Sequence, residues 1–167
     1  DLKKSKDKLQ EISKSEVIGF RMPRMQPVDE KEIYNAGYIY NSSINPTYLP
    51  GRYNNFSKPR TYFYFEKVLQ IPASVSPIIR FPLFWLSFHN LPLWLYKWLC
   101  KITYSKDKYL NIYFHPWEFM PLQDKYNFPK YVSKNSGDRM VLRLENLILW
   151  MKFKKYPFGT FKDFIIQ

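Results

Sequence analysis

The stretch Val17-Ile-Gly-Phe-Arg-Met-Pro23 decides the fold of this chain. Its first four residues predict a short buried strand, which breaks into a loop at the arginine and the proline. A helix is predicted before it, over residues 2–14, where apolar residues recur among charged ones at helical spacing. A second helix is predicted over residues 29–36, and a second strand follows over residues 38–40. The order helix, strand, helix, strand is typical of a parallel α/β sheet or barrel.

The pattern becomes looser after this point. Residues 46–60 are rich in proline and asparagine and predict a long loop, whereas residues 67–71 predict another buried strand. A last strand is predicted over residues 109–114. Asp138 is the expected N-cap of a helix that runs to about residue 155. The apolar face predicted for this helix consists of Val141, Leu144, Ile148 and Met151.

Composition limits the class of protein. A chain of 167 residues with 46% hydrophobic residues has the size of one domain and is able to build a core. Its formal net charge of +12 attracts phosphate, anionic glycans or acidic lipid headgroups. We do not expect a nucleic acid partner, because the lysines are dispersed and no recognition helix or zinc-finger spacing is present.

Cysteine usage and the first residues add two expectations. Cys100 is the single cysteine, so the chain forms no internal disulfide, and we interpret this thiol as a buried apolar filler. The sequence begins with charged residues and has no apolar signal-peptide core. The expected location is therefore cytoplasmic or membrane-peripheral.

Residues 78–102 form the most aromatic stretch. Prolines, His89 and Lys97 interrupt it, whereas a transmembrane helix needs roughly 20 consecutive apolar residues. We expect a buried insertion that covers one end of the fold. A segment that lies at the surface of a membrane is the alternative, because tryptophan and phenylalanine stand beside Arg80, Lys97 and Lys101.

His115 is the first candidate functional residue, because the apolar run Leu110-Asn-Ile-Tyr-Phe114 delivers it to a rigid strand end before a proline. Imidazole titrates near neutrality, so a positioned histidine is able to donate or accept a proton. Arg21 occupies a similar place at the end of the first strand. We expect the two groups to converge on one cavity. The alternative is a hydrogen-bonded structural histidine and a structural salt bridge.

Several blocks of sequence resemble the polysaccharide deacetylase family of metal-dependent carbohydrate esterases. They are Ile18-Gly-Phe-Arg-Met-Pro23 and Gly37-Tyr-Ile-Tyr-Asn-Ser-Ser43, preceded by residues 5–9. Val68-Leu-Gln-Ile-Pro72 and Tyr113-Phe-His-Pro-Trp-Glu118, with the end of the terminal helix, look like the C-terminal extension of one branch. In order and spacing, the resemblance spans nearly the whole chain.

The resemblance implies the C-terminal part of a distorted (β/α) barrel with a long aromatic-rich insertion, and an enzyme that removes acetyl groups from N-acetylated sugars. In that family a divalent metal, commonly zinc, is held by an aspartate and two histidines, and a further aspartate acts as general base. Arg21 matches the arginine that orients this base, and His115 matches the general acid. Leu110 and Ile112 would line a pocket for the acetyl methyl group, and Trp117 would contact the carbohydrate.

The sequence departs from the family in its metal ligands. It has no Asp-Asp strand motif and no His-x-x-x-His pair, and a zinc site needs three or more protein ligands. We therefore expect no metal bound by this chain alone and interpret it as the C-terminal part of a larger enzyme. Asn41 and Gln70 stand where this branch often has carboxylates, and an uncharged amide does not raise the basicity of a histidine as a carboxylate does.

The predicted organisation is one structural unit in three parts. Residues 1–72 form the later β/α units, residues 73–108 the aromatic-rich insertion, and residues 109–167 the last strand and the C-terminal helix. A partial barrel exposes a sheet edge, which favours pairing with further strands. We expect these strands to come from an N-terminal half of a longer protein or from a second copy in a homo-oligomer.

Three functions remain open at this point. The first is a carbohydrate N-deacetylase that acts on a cell-surface or precursor glycan. The second is a noncatalytic remnant that binds a glycan through its aromatic side chains and positive charge. The third is a peripheral membrane protein that uses residues 78–102.

Overall fold

The protein, described by a computed structural model over residues 1–122 and 127–166, is a mixed α/β protein with two compact units. Unit 1 consists of Asp1–Ala73 and Gly159–Gln167, and unit 2 consists of Ser74–Phe158. The strands found in the described ranges do not close into a barrel. The α/β class predicted from the sequence is therefore confirmed, while the barrel stays a prediction.

The regular elements are short. The α-helices are α1 (Leu2–Ser13), α2 (Glu30–Asn35), α3 (Trp85–Asn90), α4 (Leu93–Asp107), α5 (Lys130–Ser133), α6 (Asp138–Phe153) and α7 (Phe161–Ile166). The strands are β1 (Gly19–Phe20), β2 (Tyr40–Asn41), β3 (Tyr48–Leu49), β4 (Tyr53–Asn54), β5 (Phe63–Phe65) and β6 (Val68–Gln70). Single 3-10 turns cover Pro23–Met25 and Pro116–Phe119.

The sheet of unit 1 has the order β1-β2-β6-β5. β2 pairs in parallel with both β1 and β6, as the sequence predicted, and β5 is antiparallel to β6. The register places Gly19 beside Tyr40 and Asn41 beside Gln70. The polar side chains that follow the parallel strands therefore collect at one edge of this sheet.

Local chemistry explains the predicted helices of unit 1. Asp29 caps α2, because its carboxylate accepts a hydrogen bond of 2.9 Å from the backbone N–H of Lys31. Gly37, with φ of 81°, follows the end of the helix in the left-handed region that glycine tolerates. α1 contacts the unit through polar side chains, since Lys6 donates to the carbonyl of Gly37 and Gln10 accepts from the N–H of Val17.

Two parts of unit 1 differ from the sequence prediction. The expected long loop over residues 46–60 contains an antiparallel hairpin of β3 and β4, because Pro50-Gly51 forms a tight connection. The second strand begins at Tyr40 rather than at residue 38. Tyr38 is buried instead against α2, in an apolar cluster with Ile33, Ala36 and Val68.

Unit 2 is built on the aromatic segment. Residues 85–90 and 93–107 form α3 and α4, and Pro92 separates them. The expected buried insertion is only partly right, because Phe88, Tyr96 and Leu99 are buried whereas Ile78, Trp94 and Trp98 are exposed. The core cluster of this unit consists of Leu83, Phe88, Tyr96, Leu99, Cys100, Met140, Leu147 and Met151. No helix among the described residues has the length and apolar character needed to cross a bilayer.

The predicted strand over residues 109–114 is wrong. These residues are not assigned to a strand, and the backbone of Asn111 bonds instead to Ser74. The N–H of Ser74 donates to the carbonyl of Asn111 over 2.9 Å, and the N–H of Asn111 donates to the Ser74 hydroxyl over 2.8 Å. The Ser74 hydroxyl thus takes the place of a backbone carbonyl as acceptor. The segment is held at Asn111 without forming a strand.

The helix predicted to start at Asp138 is present as α6, but Gly137 is its N-cap and Asp138 is its first residue. Its buried face also differs from the prediction, because Met140, Leu147 and Met151 are buried whereas Val141 is exposed. Arg143 on this helix donates two hydrogen bonds of 2.7 and 2.8 Å to the carbonyls of Phe88 and Leu91 at the end of α3. This guanidinium satisfies carbonyl groups that the helix itself leaves unpaired.

Candidate functional site

His115 lies in unit 2 at the point where the extended segment before it turns into Pro116–Phe119. Its backbone is extended, with φ of −121° and ψ of 145°, and Pro116 starts the turn because its fixed φ suits the first helical position. The histidine side chain is 40% exposed. The ring is therefore supported by the protein and also reachable from solvent.

Glu118 contacts His115 twice through one oxygen. The backbone N–H of His115 donates to Oε1 of Glu118 over 2.7 Å, and ring Nδ1 lies 2.7 Å from the same oxygen. The Glu118 side chain is fully buried, and burial raises its pKa to about 7, although the hydrogen bond from the His115 backbone lowers it. A buried carboxyl with a raised pKa and an imidazole thus share one short hydrogen bond.

Aromatic rings surround the imidazole. Trp117 is stacked on it, with centroids 5.6 Å apart and an interplanar angle of 19°. Trp85 and Tyr113 each present an edge-to-face contact at 5.8 Å. Trp85 also contacts Trp117 at 5.1 Å. These contacts restrict rotation of the ring and give the site apolar walls.

Two predicted substrate contacts belong to the segment of unit 2 that precedes His115. Leu110 and Ile112 are partly buried and pack against the helical core cluster that contains Phe88 and Tyr96. Their predicted role as a wall for an acetyl methyl group stays a prediction. Trp117 lies beside His115, where the sequence placed it.

Arg21 lies in unit 1 directly after β1. Its Nε donates to the carbonyl of Ser42 over 2.9 Å, and its Nη2 donates to the Ser42 hydroxyl over 2.7 Å. That hydroxyl in turn donates to the carbonyl of Ile71 over 2.7 Å. The guanidinium is thus fixed at the ends of three neighbouring strand segments, and its pairing with a catalytic carboxylate stays a prediction.

Asn41 and Gln70, the two amides that replace expected carboxylates, hold Glu30 between them. Asn41 Nδ2 donates to Glu30 Oε1 and to Gln70 Oε1, each over 3.1 Å, and Gln70 Nε2 donates to Glu30 Oε2 over 2.8 Å. Burial raises the pKa of Glu30, while these hydrogen bonds lower it. Glu30 stands inside a predicted helix, where a charged residue usually faces solvent, so the sequence pattern does not mark it as a site residue.

The two predicted catalytic residues belong to different units. The structure describes each environment by itself, so the convergence of Arg21 and His115 on one cavity stays a prediction. A depression of 260 Å³ in unit 2 is lined by Pro121, Ser136, Gly137, Asp138 and Arg139 and does not include either residue.

Within residues 1–122 and 127–166, no group of three or more histidine, cysteine, aspartate or glutamate side chains is placed to hold a metal ion. Zinc needs at least three such ligands. The described residues therefore do not fit the metal of the resembled family.

Glu118 is the functional residue that sequence reasoning undervalued. It caps the turn by accepting from the N–H of His115. The same spacing of three residues brings its carboxylate to the imidazole. The signal was present as His-Pro-Trp-Glu, because a proline-initiated turn places residues i and i+3 side by side.

Comparison with known proteins identifies the family of this chain. The family model described as Domain of unknown function (DUF3473) matches residues 42–165, well over half of the chain. No curated protein and no solved structure matches. The matched region includes His115, Glu118 and Trp117, and it starts after Arg21.

Proposed function

The chain belongs to the family of the domain DUF3473, which is found at the C-terminus of polysaccharide deacetylase family proteins, and on this basis we propose that it is the C-terminal part of a carbohydrate N-deacetylase. The proposed reaction hydrolyses the acetamide of an N-acetylated sugar to an amine and acetate. One observation carries the proposal: a half-exposed imidazole is held by a buried carboxyl inside the matched region.

His115 has the chemistry that the second half of amide hydrolysis requires. The tetrahedral intermediate breaks its C–N bond only when the nitrogen leaves as a neutral amine. The proposed proton donor is Nε2 of the imidazolium, and the electron pair of the broken bond takes that proton on nitrogen. The ring returns to its neutral form, which solvent protonates again.

Trp117 and Arg21 have supporting roles in this proposal. The indole of Trp117 offers an apolar face next to the imidazole, and aromatic faces of this kind bind sugar rings in carbohydrate sites. The Arg21 guanidinium, which stays charged, would hold a carboxylate of the catalytic machinery ionised. Both roles follow from the resemblance to the deacetylase family.

The test uses the complete protein that carries this domain, assayed with added zinc for acetate release from oligomers of N-acetylglucosamine. We expect His115→Ala to lower kcat by about 10²- to 10⁴-fold, the usual contribution of a general acid. Lys152→Ala is the control, because this lysine is exposed on α6. Glycan binding without acetate release by the wild type would favour the noncatalytic remnant.

We propose a second function for the protein, in which α4 contacts an anionic membrane surface. Trp94 is 71% exposed and Trp98 is 53% exposed, and their spacing of four residues places them on one face of the helix. Lys101 continues that face one turn further. Tryptophan together with lysine is the combination that favours the lipid headgroup region.

Binding to lipid vesicles tests this membrane role. We expect binding to phosphatidylglycerol vesicles but weak binding to phosphatidylcholine vesicles, with a loss of about tenfold or more in the variant Trp94→Ala/Trp98→Ala. Trp85→Phe is the control, because Trp85 is buried. Equal binding by the double variant and the wild type would contradict the proposal.

A further inference from the structure

Glu118 has an unusual position for a carboxylate. It lies in the turn Pro116–Phe119, its side chain is fully buried, and its Oε2 has no hydrogen-bond partner among the described residues. The other oxygen, Oε1, receives both the backbone N–H and ring Nδ1 of His115. A buried charge is costly unless it is paired and hydrogen-bonded. The hydrogen bonds shown for this carboxyl are made to one histidine, His115.

The geometry restricts how the pair shares protons. When the carboxyl is ionised, Oε1 has only lone pairs to offer, so ring Nδ1 must carry the hydrogen of the 2.7 Å contact. The neutral imidazole then keeps its lone pair on Nε2, and the imidazolium carries its second proton there. Free histidine has no such constraint, and its proton distributes between the two nitrogens.

Several contacts fix the orientation of the His115 ring. The backbone bond to Oε1 holds the carboxylate relative to the main chain of His115, and the proline of the turn fixes the spacing of three residues. Trp117 covers one face of the ring, while Trp85 and Tyr113 meet its edges or faces at 5.8 Å. Rotation of the ring by half a turn would break the contact to Glu118.

A buried phenol also interacts with Glu118. Tyr96 of α4 lies close enough to Glu118 to interact electrostatically, and burial raises the pKa of this phenol, which stays neutral near pH 7. Tyr96 interacts in addition with Tyr113 and with Cys100, and burial raises the pKa of the Cys100 thiol. At the start of α6, Gly137 donates its backbone N–H to the carbonyl of Glu118. The charge on Glu118 is therefore opposed mainly by His115.

We propose that Glu118 is a positioning residue that holds His115 in the Nδ1-protonated form and directs Nε2 to the substrate. The tautomer follows from the geometry of unit 2 alone. The catalytic consequence rests on the proposed deacetylase function.

Histidine NMR tests the tautomer directly on this chain. His89 and His115 are the two histidines of the sequence, so ¹⁵N-labelled histidine gives two ring systems. At about two pH units above the ordinary histidine pKa, we expect long-range ¹H–¹⁵N spectra to show the hydrogen of His115 on Nδ1. A hydrogen on Nε2 in the wild type would overturn the proposal.

Two variants separate hydrogen bonding from charge. Glu118→Gln retains an oxygen acceptor, so we expect it to keep the Nδ1 tautomer while its ring titrates at lower pH, with a proton affinity reduced about tenfold. Glu118→Met removes the acceptor, and we expect the ring to revert to a mixture of tautomers. An unchanged titration in Glu118→Gln would contradict the proposal, and this conservative variant retains the shape of the side chain if the methionine variant fails to fold.

The enzymatic consequence is measured separately. In the complete protein, we expect Glu118→Gln to lower kcat with little change in KM and to move the basic limb of the pH profile to lower pH, because the imidazolium loses its proton earlier. A wild type that releases no acetate would refute the proposed function and leave the tautomer result standing. A Nε2 tautomer with normal acetate release would refute the positioning role alone.

Discussion

His89 and Glu118 are both buried in unit 2, and burial moves their pKa values in opposite directions. Burial, with Arg143 and Lys134 nearby, lowers the pKa of His89 from 6.5 to about 4. Burial raises the pKa of Glu118 from 4.5 to about 7. Burial therefore opposes the ionisation of each side chain over a range in which the unfolded chain ionises it.

The two residues contribute to stability with opposite signs between pH 4 and 7. The His89 contribution is present above about pH 6.5 and is lost as the pH falls towards 4, because the unfolded imidazole binds a proton that the folded one refuses. The Glu118 contribution is present below about pH 4.5 and is lost as the pH rises through 7. Each is on the order of 1–3 kcal/mol, and they offset one another in the wild type.

Single variants should separate these two pH-dependent contributions to stability. In His89→Gln the Glu118 contribution remains, so we expect the melting temperature to fall between pH 4.5 and 6.5 relative to the wild type. In Glu118→Gln the His89 contribution remains, and the melting temperature should rise over the same range. Thermal unfolding followed by circular dichroism measures both, and variants with parallel curves would contradict this account.

Gly19 illustrates a close approach between two strands. A Cβ at this position would lie 1.9 Å from Cζ of Tyr40, and the Tyr40 ring packs on Phe161 at 5.1 Å. We expect Gly19→Ala to lower the free energy of unfolding by about 1–3 kcal/mol in urea titrations, because the ring has to move.

The matched control is Gly159→Ala, where the added Cβ meets Asp163 at an ordinary 3.5 Å. We expect this control to change stability by only about 0.5 kcal/mol. Adding Tyr40→Leu to Gly19→Ala should recover part of the loss, since the clash is with the tyrosine ring. A loss of the same size in both alanine variants would show that contact with the tyrosine ring does not account for the glycine.

At the scale of elements, the ends of β2 and β6 form one polar cluster. Asn41 and Gln70 lie side by side in the parallel register and both donate to Glu30. An aspartate at position 41 has no N–H to donate and places a negative charge near Oε1 of Glu30. The amides of this chain are thus matched to a carboxylate that α2 supplies.

We expect Asn41→Asp to destabilise the protein by about 2–4 kcal/mol at pH 7, because it loses a buried hydrogen bond and adds repulsion. The loss should shrink at pH 4, where carboxyl groups take up protons. Asn54→Asp on β4 is the control, since Asn54 is exposed. Urea titrations at both pH values give the comparison, and a loss that is independent of pH would rule out repulsion as the cause.

Sequence reasoning succeeded for elements whose signals are local. α1, α2 and the parallel strands of unit 1 follow from spacing, an aspartate cap and short apolar runs. It failed for residues 109–114, because their β-type composition is satisfied here by one contact with Ser74 and by packing on helices. α3 and α4 were missed because prolines and aromatic residues obscure their period of 3.6.

The candidate site could also be predicted only in part from the sequence. The place of His115 beside Trp117 and before a proline turn could be identified from the sequence. The burial of Glu118 could not, because it depends on packing by α4 and α6, which are distant in sequence. Trp85 was likewise unpredictable as a neighbour of His115, since a tertiary contact brings the start of α3 to the ring.

At the scale of the whole molecule, the net charge of +12 is the dominant electrostatic property. Local ion pairs such as Lys3 with Asp7 are exposed and contribute little. Repulsion among the remaining cations opposes the compact state. Salt screens it, since the Debye length falls from about 30 Å at 0.01 M to about 10 Å at 0.1 M.

We therefore expect the melting temperature to rise by several degrees between roughly 0.01 and 0.3 M sodium chloride. A variant in which Lys4, Lys101, Lys106 and Lys152, all exposed, are replaced by glutamine should start higher and respond less to salt. Differential scanning calorimetry measures both proteins. A melting temperature that falls with added salt would mean that attractive pairs outweigh the repulsion.

The single thiol of the chain can report how often the helical core of unit 2 opens. Cys100 is fully buried on α4, and burial raises the pKa of its sulfhydryl, so alkylating reagents reach it only when the helical core opens. The rate of its modification under native conditions would therefore count opening events in unit 2. A cysteine engineered on the surface would carry a fluorophore at one defined place, without removal of the native one.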